Sequence, residues 1–483
     1  MMQAVSHAAL VDGRLVPEGG GERWDVLDPS TGEPIVAMEA AGEELVACAV
    51  ESARAVFSGA WSATLPSERG RVLLRIAQAI RERADELAAL EAADAGIPVA
   101  LARNDAEVAA RYFEFYAGLA DKLGGETIPL GDGLLDYTLR QPWGVCAVVV
   151  PFNFPLQQVS RSLSAALAAG NAVVVKASEQ SPFVATELAR LCVDAGLPAG
   201  AFNVVQGLAA TGAALVGHEG VDHVTFTGSR AVGSSVMALC ARRVTPLTLE
   251  LGGKSAQIVL HESQLEPAAA AIAGVMFRTA GQACSAGSRV LVREDLRERL
   301  SARLVEHARA LRVGSAADER VEVGPLISAE QRDRVLAAVE EAVGAGAALR
   351  AGGAPPRGTV PDGGNFVLPT VLDGVDHDAA ISRRELFGPV LGITPVTDAQ
   401  HALELANDSE FGLAAGVWTS DVGEALALAR DLQVGQVFVN NYGSGGGVEL
   451  PFGGWKGSGF GREKGVEALA SYTQLKNVCV TLA

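Results

Sequence analysis

Short apolar runs alternate with helical periodicity through the middle of the chain. Val145 to Val150 predicts a buried strand, and Ser160 to Ala169 is helical. Ala172 to Lys176 predicts a second strand, and Ser181-Pro182 offers a polar cap and a first-turn proline for the next helix. Ala201 to Val205, His223 to Thr227 and Leu247 to Leu251 read as further strands, each separated by helix. Such alternation predicts a parallel sheet covered on both faces. A second alternating block runs from Ser255 to about Asn440; its Val323 to Gly364 stretch holds a helix and then a Gly/Pro-rich loop around Ala351 to Gly364.

The flanking regions differ. Loose strands are expected over Ala8 to Pro17 and Arg23 to Leu27, then helices over Glu43 to Phe57 and Glu68 to Asp94, with Leu73, Ile76, Ile80 and Leu87 on the apolar face. Gly124 to Gln141 combines glycine-rich turns with an alternating strand, Tyr137-Thr138-Leu139-Arg140. Tyr472 to Leu482 also reads as a strand outside both blocks. Tyr472, Leu475, Val478, Val480 and Leu482 make it too apolar for a solvated edge, so another subunit's sheet is the expected partner. No internal repeat is present.

Composition narrows the function. A chain of 483 residues is too long for one core, and 49% hydrophobic content can fill several. The net charge of −18 argues against nucleic acid or an anionic membrane as a partner. No apolar run approaches the roughly 20 residues of a membrane span. Met1 to Leu10 lacks signal-peptide architecture, so a cytoplasmic location is expected. The six cysteines are scattered, with no CxxC pair and no histidine at metal spacing. They read as reduced thiols, five of them small buried hydrophobes, and no metal site is expected. Only six of the 39 basic residues are lysines, as expected of a GC-rich bacterial genome, and Lys176, Lys254 and Lys456 all fall within motifs.

Two of these motifs carry complementary chemistry. Leu249-Glu250-Leu251-Gly252-Gly253-Lys254 sets a carboxylate on an apolar strand that runs into a glycine pair. Gly281-Gln282-Ala283-Cys284 sets a thiol on a loop of small residues. A carbonyl substrate needs such a pair, a sulfur to attack it and a base to bring in water afterwards. A carboxyl group on so apolar a strand should have a raised pKa. Phe226-Thr227-Gly228-Ser229-Arg230-Ala231-Val232-Gly233 joins a strand to a helix, where glycines and the helix N-terminus suit a pyrophosphate. Val175-Lys176-Ala177-Ser178-Glu179 ends another strand on the same side of the sheet, where ligands of open α/β sheets bind.

In this order the motifs resemble the aldehyde dehydrogenase superfamily, nearly end to end. Further segments match it: Pro151-Phe152-Asn153-Phe154-Pro155-Leu156, Gly324 to Gln331, Arg384-Glu385-Leu386-Phe387-Gly388-Pro389, the long run Pro451 to Glu463, and Ser471 to Lys476. The resemblance implies a Rossmann-like parallel-sheet cofactor domain (1–122 and 141–252), a second α/β catalytic domain (253–457) and a small β oligomerisation flap (123–140 and 458–483). It implies Cys284 as nucleophile, Glu250 as base, Asn153 with the Cys284 backbone N–H as oxyanion hole, and Glu463 as a second glutamate relaying protons.

For the cofactor, the resemblance implies Lys176 and Glu179 on the adenosine ribose, with Glu179 favouring NAD over NADP. It places Gly228, Ser229 and Gly233 at the pyrophosphate turn, and Glu385 and Gln331 on the nicotinamide ribose. Phe387 lies near the ring, and Phe152 stands where the family usually has Trp. The helix after Asn153 borders the aldehyde tunnel in the family. Phe154, Gln158, Arg161 and Ser285 are therefore substrate-pocket candidates, and Arg161 suggests a polar, carboxylated (semialdehyde) or aromatic aldehyde. The expected reaction is NAD-dependent oxidation to the acid by a homodimer or homotetramer. The alternatives are a CoA-acylating dehydrogenase, which generally lacks the Glu250 base, and a non-catalytic scaffold of the same fold.

Overall fold

The computed structural model describes residues 9–16, 20–358, 360–443 and 447–482. Two large sheets organise it. In the first, the strand order is Arg14–Val16, Ala9–Val11, Phe202–Val205, Ala172–Lys176, Val145–Val149, His223–Thr227, Leu247–Glu250 and Gly459–Phe460. The five from Phe202–Val205 to Leu247–Glu250 are parallel. Strands Ala172–Lys176 and His223–Thr227 are buried at every residue, which explains why they lack polar alternation. Helices such as Pro155–Ala169 and Phe183–Asp194 cover one face, and Glu43–Val56 and Arg230–Ala241 the other.

The second sheet runs Ala348–Ala351, Thr370–Asp373, Val390–Val396, Arg289–Arg293, Ala256–Val259, Ala414–Trp418 and Gln436–Val439, parallel except for its first strand. A third, small sheet pairs Thr473–Thr481 with Leu134–Pro142 over nine residues, from Thr473 opposite Pro142 to Thr481 opposite Leu134. Thr127–Ile128 is its third strand. The α/β class, with two parallel-sheet units, is as expected.

Several boundaries moved. The helix expected over Glu68 to Asp94 is two, Pro66–Glu82 and Ala84–Asp94, broken at Arg83. Pro182 is an N-cap, and its helix begins at Phe183. Of the loose N-terminal strand, Ala9–Val11 and Arg14–Val16 form a hairpin on the edge of the first sheet, while Ala8 and Pro17 lie outside the described residues. Gly459–Phe460 pairs antiparallel with Leu249 and Glu250, so the segment from 458 starts in the first sheet and reaches the flap only at Thr473. Tyr472 is fully buried within its own chain and takes no part in the apolar edge, where Leu475, Val480 and Leu482 are exposed. Cys48 and Cys479 are likewise exposed, whereas Cys146, Cys192 and Cys240 pack inside. No helix among the described residues is long and apolar enough to cross a membrane.

Candidate active site

The carboxyl ends of the first sheet and, from the second unit, the segments around Cys284, Ile327 to Gln331 and Glu385 to Phe387 face one cavity of about 740 Å³, within the range of small-molecule sites. Glu250, the last residue of its strand, lines it together with Cys284 and Asn153. The glycine pair after Glu250 makes this meeting possible. A Cβ on Gly253 would come within 2.6 Å of the Cys284 carbonyl oxygen, and one on Gly252 within 2.1 Å of Glu385 Oε2. Ser458, from the long C-terminal motif, fastens the same turn: its hydroxyl donates to the Gly252 carbonyl at 2.7 Å, and Leu251 N–H donates to the Ser458 carbonyl at 3.0 Å.

Cys284 is presented by a sharply bent loop. Thr279, Ala280 and Gly281 have φ of +49°, +52° and +72°, a left-handed run that is costly for a β-branched threonine. Gly281 passes so close to Gly388 that a Cβ there would lie 2.3 Å from the Gly388 oxygen. Cys284 itself is half-buried. Burial, with the nearby Glu385 carboxylate, pushes its thiol up to about 11, against the opposing pull of Arg161. At neutral pH the resting sulfur therefore keeps its proton.

Glu250 is 2% exposed, and neither of its carboxylate oxygens has a hydrogen-bond partner among the described residues. Burial pushes its carboxyl well above the ordinary range; Arg161 opposes this and Glu463 adds to it. Asn153 is 4% exposed, and its Nδ2 donates one hydrogen to the Gln282 carbonyl at 2.7 Å. An amide nitrogen carries two hydrogens, so one remains for an oxyanion beside the sulfur.

The same cavity extends along the first sheet past Thr227, Gly228, Ser229 and Glu179 to Trp24. Ser229 caps helix Arg230–Ala241, its hydroxyl accepting from Val232 N–H at 3.4 Å, so the positive end of a twelve-residue helix faces the cavity wall. Gly233 does not line the cavity; a Cβ there would meet Leu251 at 2.5 Å, so its task is close packing of helix on strand. Lys176 is buried, also off the wall, and donates to Glu179 Oε2 at 2.8 Å. Burial pushes the Glu179 carboxyl up, but the Lys176 ammonium outweighs it and the net shift is downward. Trp24, unforeseen in the sequence, donates from Nε1 to the Glu179 carbonyl at 3.0 Å.

At the other end, Glu385 accepts from Gly253 N–H at 3.0 Å, and burial pushes its carboxyl up to about 7, opposed by that N–H and by Lys254. Phe387 has φ of +57°, and its ring meets Phe152 edge-on at 5.8 Å. Gln331 lines the cavity, but its amide is committed elsewhere: Nε2 donates to the Leu386 and Phe387 carbonyls, both at 2.8 Å, and Oε1 accepts from Arg334. It braces the Glu385–Phe387 turn from the cavity wall.

Of the substrate-pocket candidates only Gln158 lines the cavity, and its Oε1 has no hydrogen-bond partner among the described residues. Phe154 and Ser285 do not line it. Arg161 is 4% exposed and lies behind the wall, where Nε pairs with Glu463 Oε2 at 3.3 Å and Nη2 donates to Thr227 Oγ1 at 2.9 Å. A guanidinium spent on a buried carboxylate is not offered to a substrate, so the suggestion of a carboxylated aldehyde loses its basis. Glu463 is fully buried and likewise off the cavity wall, held also by Ser162 and Tyr472. Lys464 beside it was not anticipated; burial and Arg161 lower its ammonium to about 8, and Cys284 and Glu250 lie within its electrostatic reach.

The residues fit a dinucleotide: a long cavity, a helix N-terminus with small residues at its mouth, and an acidic side chain toward either end. Comparison with known proteins agrees. The profile described as "Aldehyde dehydrogenase family" matches residues 16–478. A betaine aldehyde dehydrogenase of Brucella melitensis biotype 2 is 41% identical over 98% of this chain and 96% of its own length. The crystal structure of a gamma-glutamyl-gamma-aminobutyraldehyde dehydrogenase from Burkholderia cenocepacia J2315 superposes with a TM-score of 0.96 at 42% identity, covering 99% of this chain and 97% of that one. An indole-3-acetaldehyde dehydrogenase of P. syringae, a cysteine-to-alanine mutant solved with NAD+ and IAA, has a TM-score of 0.96 at 36% identity and covers 100% of this chain and 98% of its own. The chain belongs to the aldehyde dehydrogenase family and is an oxidoreductase acting on aldehydes.

Proposed function

We propose that the chain oxidises a polar aldehyde to its carboxylic acid with NAD, through a covalent intermediate on Cys284. The observation that carries this reading is the convergence of Cys284, Asn153 and Glu250 on one cavity. Lys176 and Glu179 would hold the adenosine ribose, the Gly228-Ser229 turn the pyrophosphate, Glu385 the second ribose, and Phe387 and Phe152 the nicotinamide edge. Glu179 repels a 2′-phosphate, which favours NAD over NADP. A nicotinamide bound there supplies the acceptor for the hydride that leaves the aldehyde carbon. A division into a cofactor unit, a catalytic unit and a flap belongs to the same proposal, with the flap confined to the strands Thr127–Ile128, Leu134–Pro142 and Thr473–Thr481 and with Gly459–Phe460 counted in the first sheet.

The chain's own residues do the rest. Cys284 gives its proton to solvent water, and its sulfur adds to the carbonyl carbon, giving a thiohemiacetal with the former carbonyl oxygen as oxyanion. The new oxyanion accepts from the spare Asn153 N–H and the Cys284 backbone N–H, and one such donor is commonly worth about 10²–10³-fold in rate. Oxidation leaves a thioester on Cys284. Ionised Glu250 then takes a proton from water, the hydroxide oxygen adds to the thioester carbon, and the acid departs as the sulfur leaves. Glu463 accepts the proton from Glu250.

Gln158 lines the cavity with an amide oxygen that has no hydrogen-bond partner among the described residues, which supports a substrate carrying a hydrogen-bond donor. Two of the relatives described above are named for polar aldehydes, in keeping with that reading. The test is NADH formation across aliphatic, aromatic and polar aldehydes, with and without CoA. Free acid as the product, with no requirement for CoA, supports the reading; an acyl-CoA product, or no turnover of any aldehyde, overturns it.

A further inference from the structure

The C-terminal segment touches the buried carboxylate pair through one hydroxyl. Tyr472 stands directly before strand Thr473–Thr481. Its hydroxyl donates to Glu463 Oε1 at 3.0 Å and lies 3.0 Å from Thr225 Oγ1. Thr225 is on the strand paired with the one that ends in Glu250.

The backbone around Tyr472 is clamped. Asn171 Nδ2 donates to its carbonyl at 2.9 Å, and Trp143 Nε1 donates to the Ser471 carbonyl at 3.0 Å. Its ring packs on His223 at 5.4 Å, and His223 stacks on Trp143 at 6.0 Å. Trp143 follows directly on Pro142, the residue paired with Thr473, so the clamp and the seating of the tail strand are one structure. Packing alone would be served by phenylalanine; the hydroxyl is aimed at a carboxylate.

We propose that Tyr472 is a positioning residue for Glu463, so that seating of the C-terminal strand sets the proton acceptor used when the acyl-enzyme is hydrolysed. This rests on the reading of Glu463 as the group that accepts the proton from Glu250. The groups facing Glu463 are Arg161 and Ser162 of helix Pro155–Ala169 and Tyr472, with Tyr112 and Tyr116 of helix Val99–Leu119, Glu250 and Lys464 in electrostatic range. Burial raises the Glu463 carboxyl, and Arg161, Tyr472 and Ser162 oppose the rise. Removing the Tyr472 hydroxyl therefore moves the Glu463 titration to higher pH.

The experiment compares Y472F, E463Q and the double variant in the full chain, measuring the NADH burst, the steady-state rate and its pH profile. Y472F should lower the steady-state rate roughly tenfold, from the loss of a hydrogen bond to a charged group. It should also shift the rise of the steady-state rate with pH, a limb that follows ionisation of Glu463, to higher pH and leave the burst almost unchanged. In the double variant, Y472F should add nothing to E463Q. Thr225→Val, which unfastens the same hydroxyl from its other side, should move the limb in the same direction, and it carries the test should Y472F fold poorly. A slow E463Q beside a Y472F with normal rate and profile overturns this inference alone, as do multiplicative losses in the double variant. An E463Q with unchanged steady state overturns the reading of Glu463 itself.

Discussion

Replacing Glu250 with glutamine tests the hydrolytic step with little disturbance of shape. Neither carboxylate oxygen has a hydrogen-bond partner to lose among the described residues, and the side chain is buried at the cavity wall, so a near-isosteric amide keeps the packing. What disappears is the base, and a positioned base commonly contributes about 10²–10⁴-fold to its step. The steady-state rate should therefore fall by about that factor, while the first turnover, which needs Cys284 and Asn153, falls far less. Stopped-flow NADH absorbance should show a burst close to the active-site concentration, followed by a slow phase.

The pH dependence gives a second reading of the same variant. Burial places the Glu250 pKa well above the ordinary value of about 4.3. The base is its ionised form, so hydrolysis speeds up as pH rises through that raised value. The glutamine variant should lose this limb. Equal loss in burst and steady state would refute the reasoning and place Glu250 in the activation of Cys284; so would a limb that survives in E250Q.

Three further outcomes follow from the same structure. Cys284→Ala should abolish dehydrogenase activity while calorimetry finds NAD affinity within about twofold, since a lost sulfur contact is small beside the phosphate and ribose contacts; residual turnover contradicts the mechanism. Asp105 is buried, with one carboxylate oxygen unpartnered, and burial pushes its carboxyl up to about 7. The folded state thus holds a proton that the unfolded chain releases near 3.9, and the stability from that proton is present below this value and lost as pH rises through about 7. Asp105→Asn should accordingly gain on the order of 1–3 kcal/mol over wild type in denaturant melts above neutrality and little at acid pH; an equal gain at all pH values contradicts this. The intact chain is expected to run as a homodimer or homotetramer in light scattering, and deleting residues 473–483 to give monomer or aggregate, because the exposed Leu475, Val480 and Leu482 form the apolar edge offered to another subunit; an active monomer, intact or truncated, contradicts it.

The sequence made some parts plain and hid others for physical reasons. Strands such as Val145–Val149 lie inside a sheet covered on both faces, so they need no polar alternation and read directly as apolar runs. Cys284 and Glu250 were legible because each sits in a motif whose glycines are forced by close approach, Gly281 on Gly388 and Gly253 on Cys284. Helix Val99–Leu119 escaped notice because Ala102, Ala106, Ala109, Ala110 and Ala117 make up much of its buried face, and alanine carries a faint periodic signal. The break at Arg83 has no glycine or proline to mark it. The partners of Arg161 and Gln331 were hidden for another reason. Their spacing on a helix was clear, but their partners, Glu463 and the Leu386-Phe387 backbone, come from segments 302 and 55 to 56 residues away (463 − 161; 386 − 331 and 387 − 331).

The central claim is that the aldehyde carbon becomes covalently bound to Cys284 and is released by water activated at Glu250. Intact-mass analysis of E250Q, quenched during turnover with NAD and an aldehyde substrate, tests it most directly. The account predicts one added acyl group per chain, mapped by digestion to the peptide containing Cys284 and absent when NAD is withheld. An acyl group on another cysteine, or NADH formed with no adduct at any time, would contradict it.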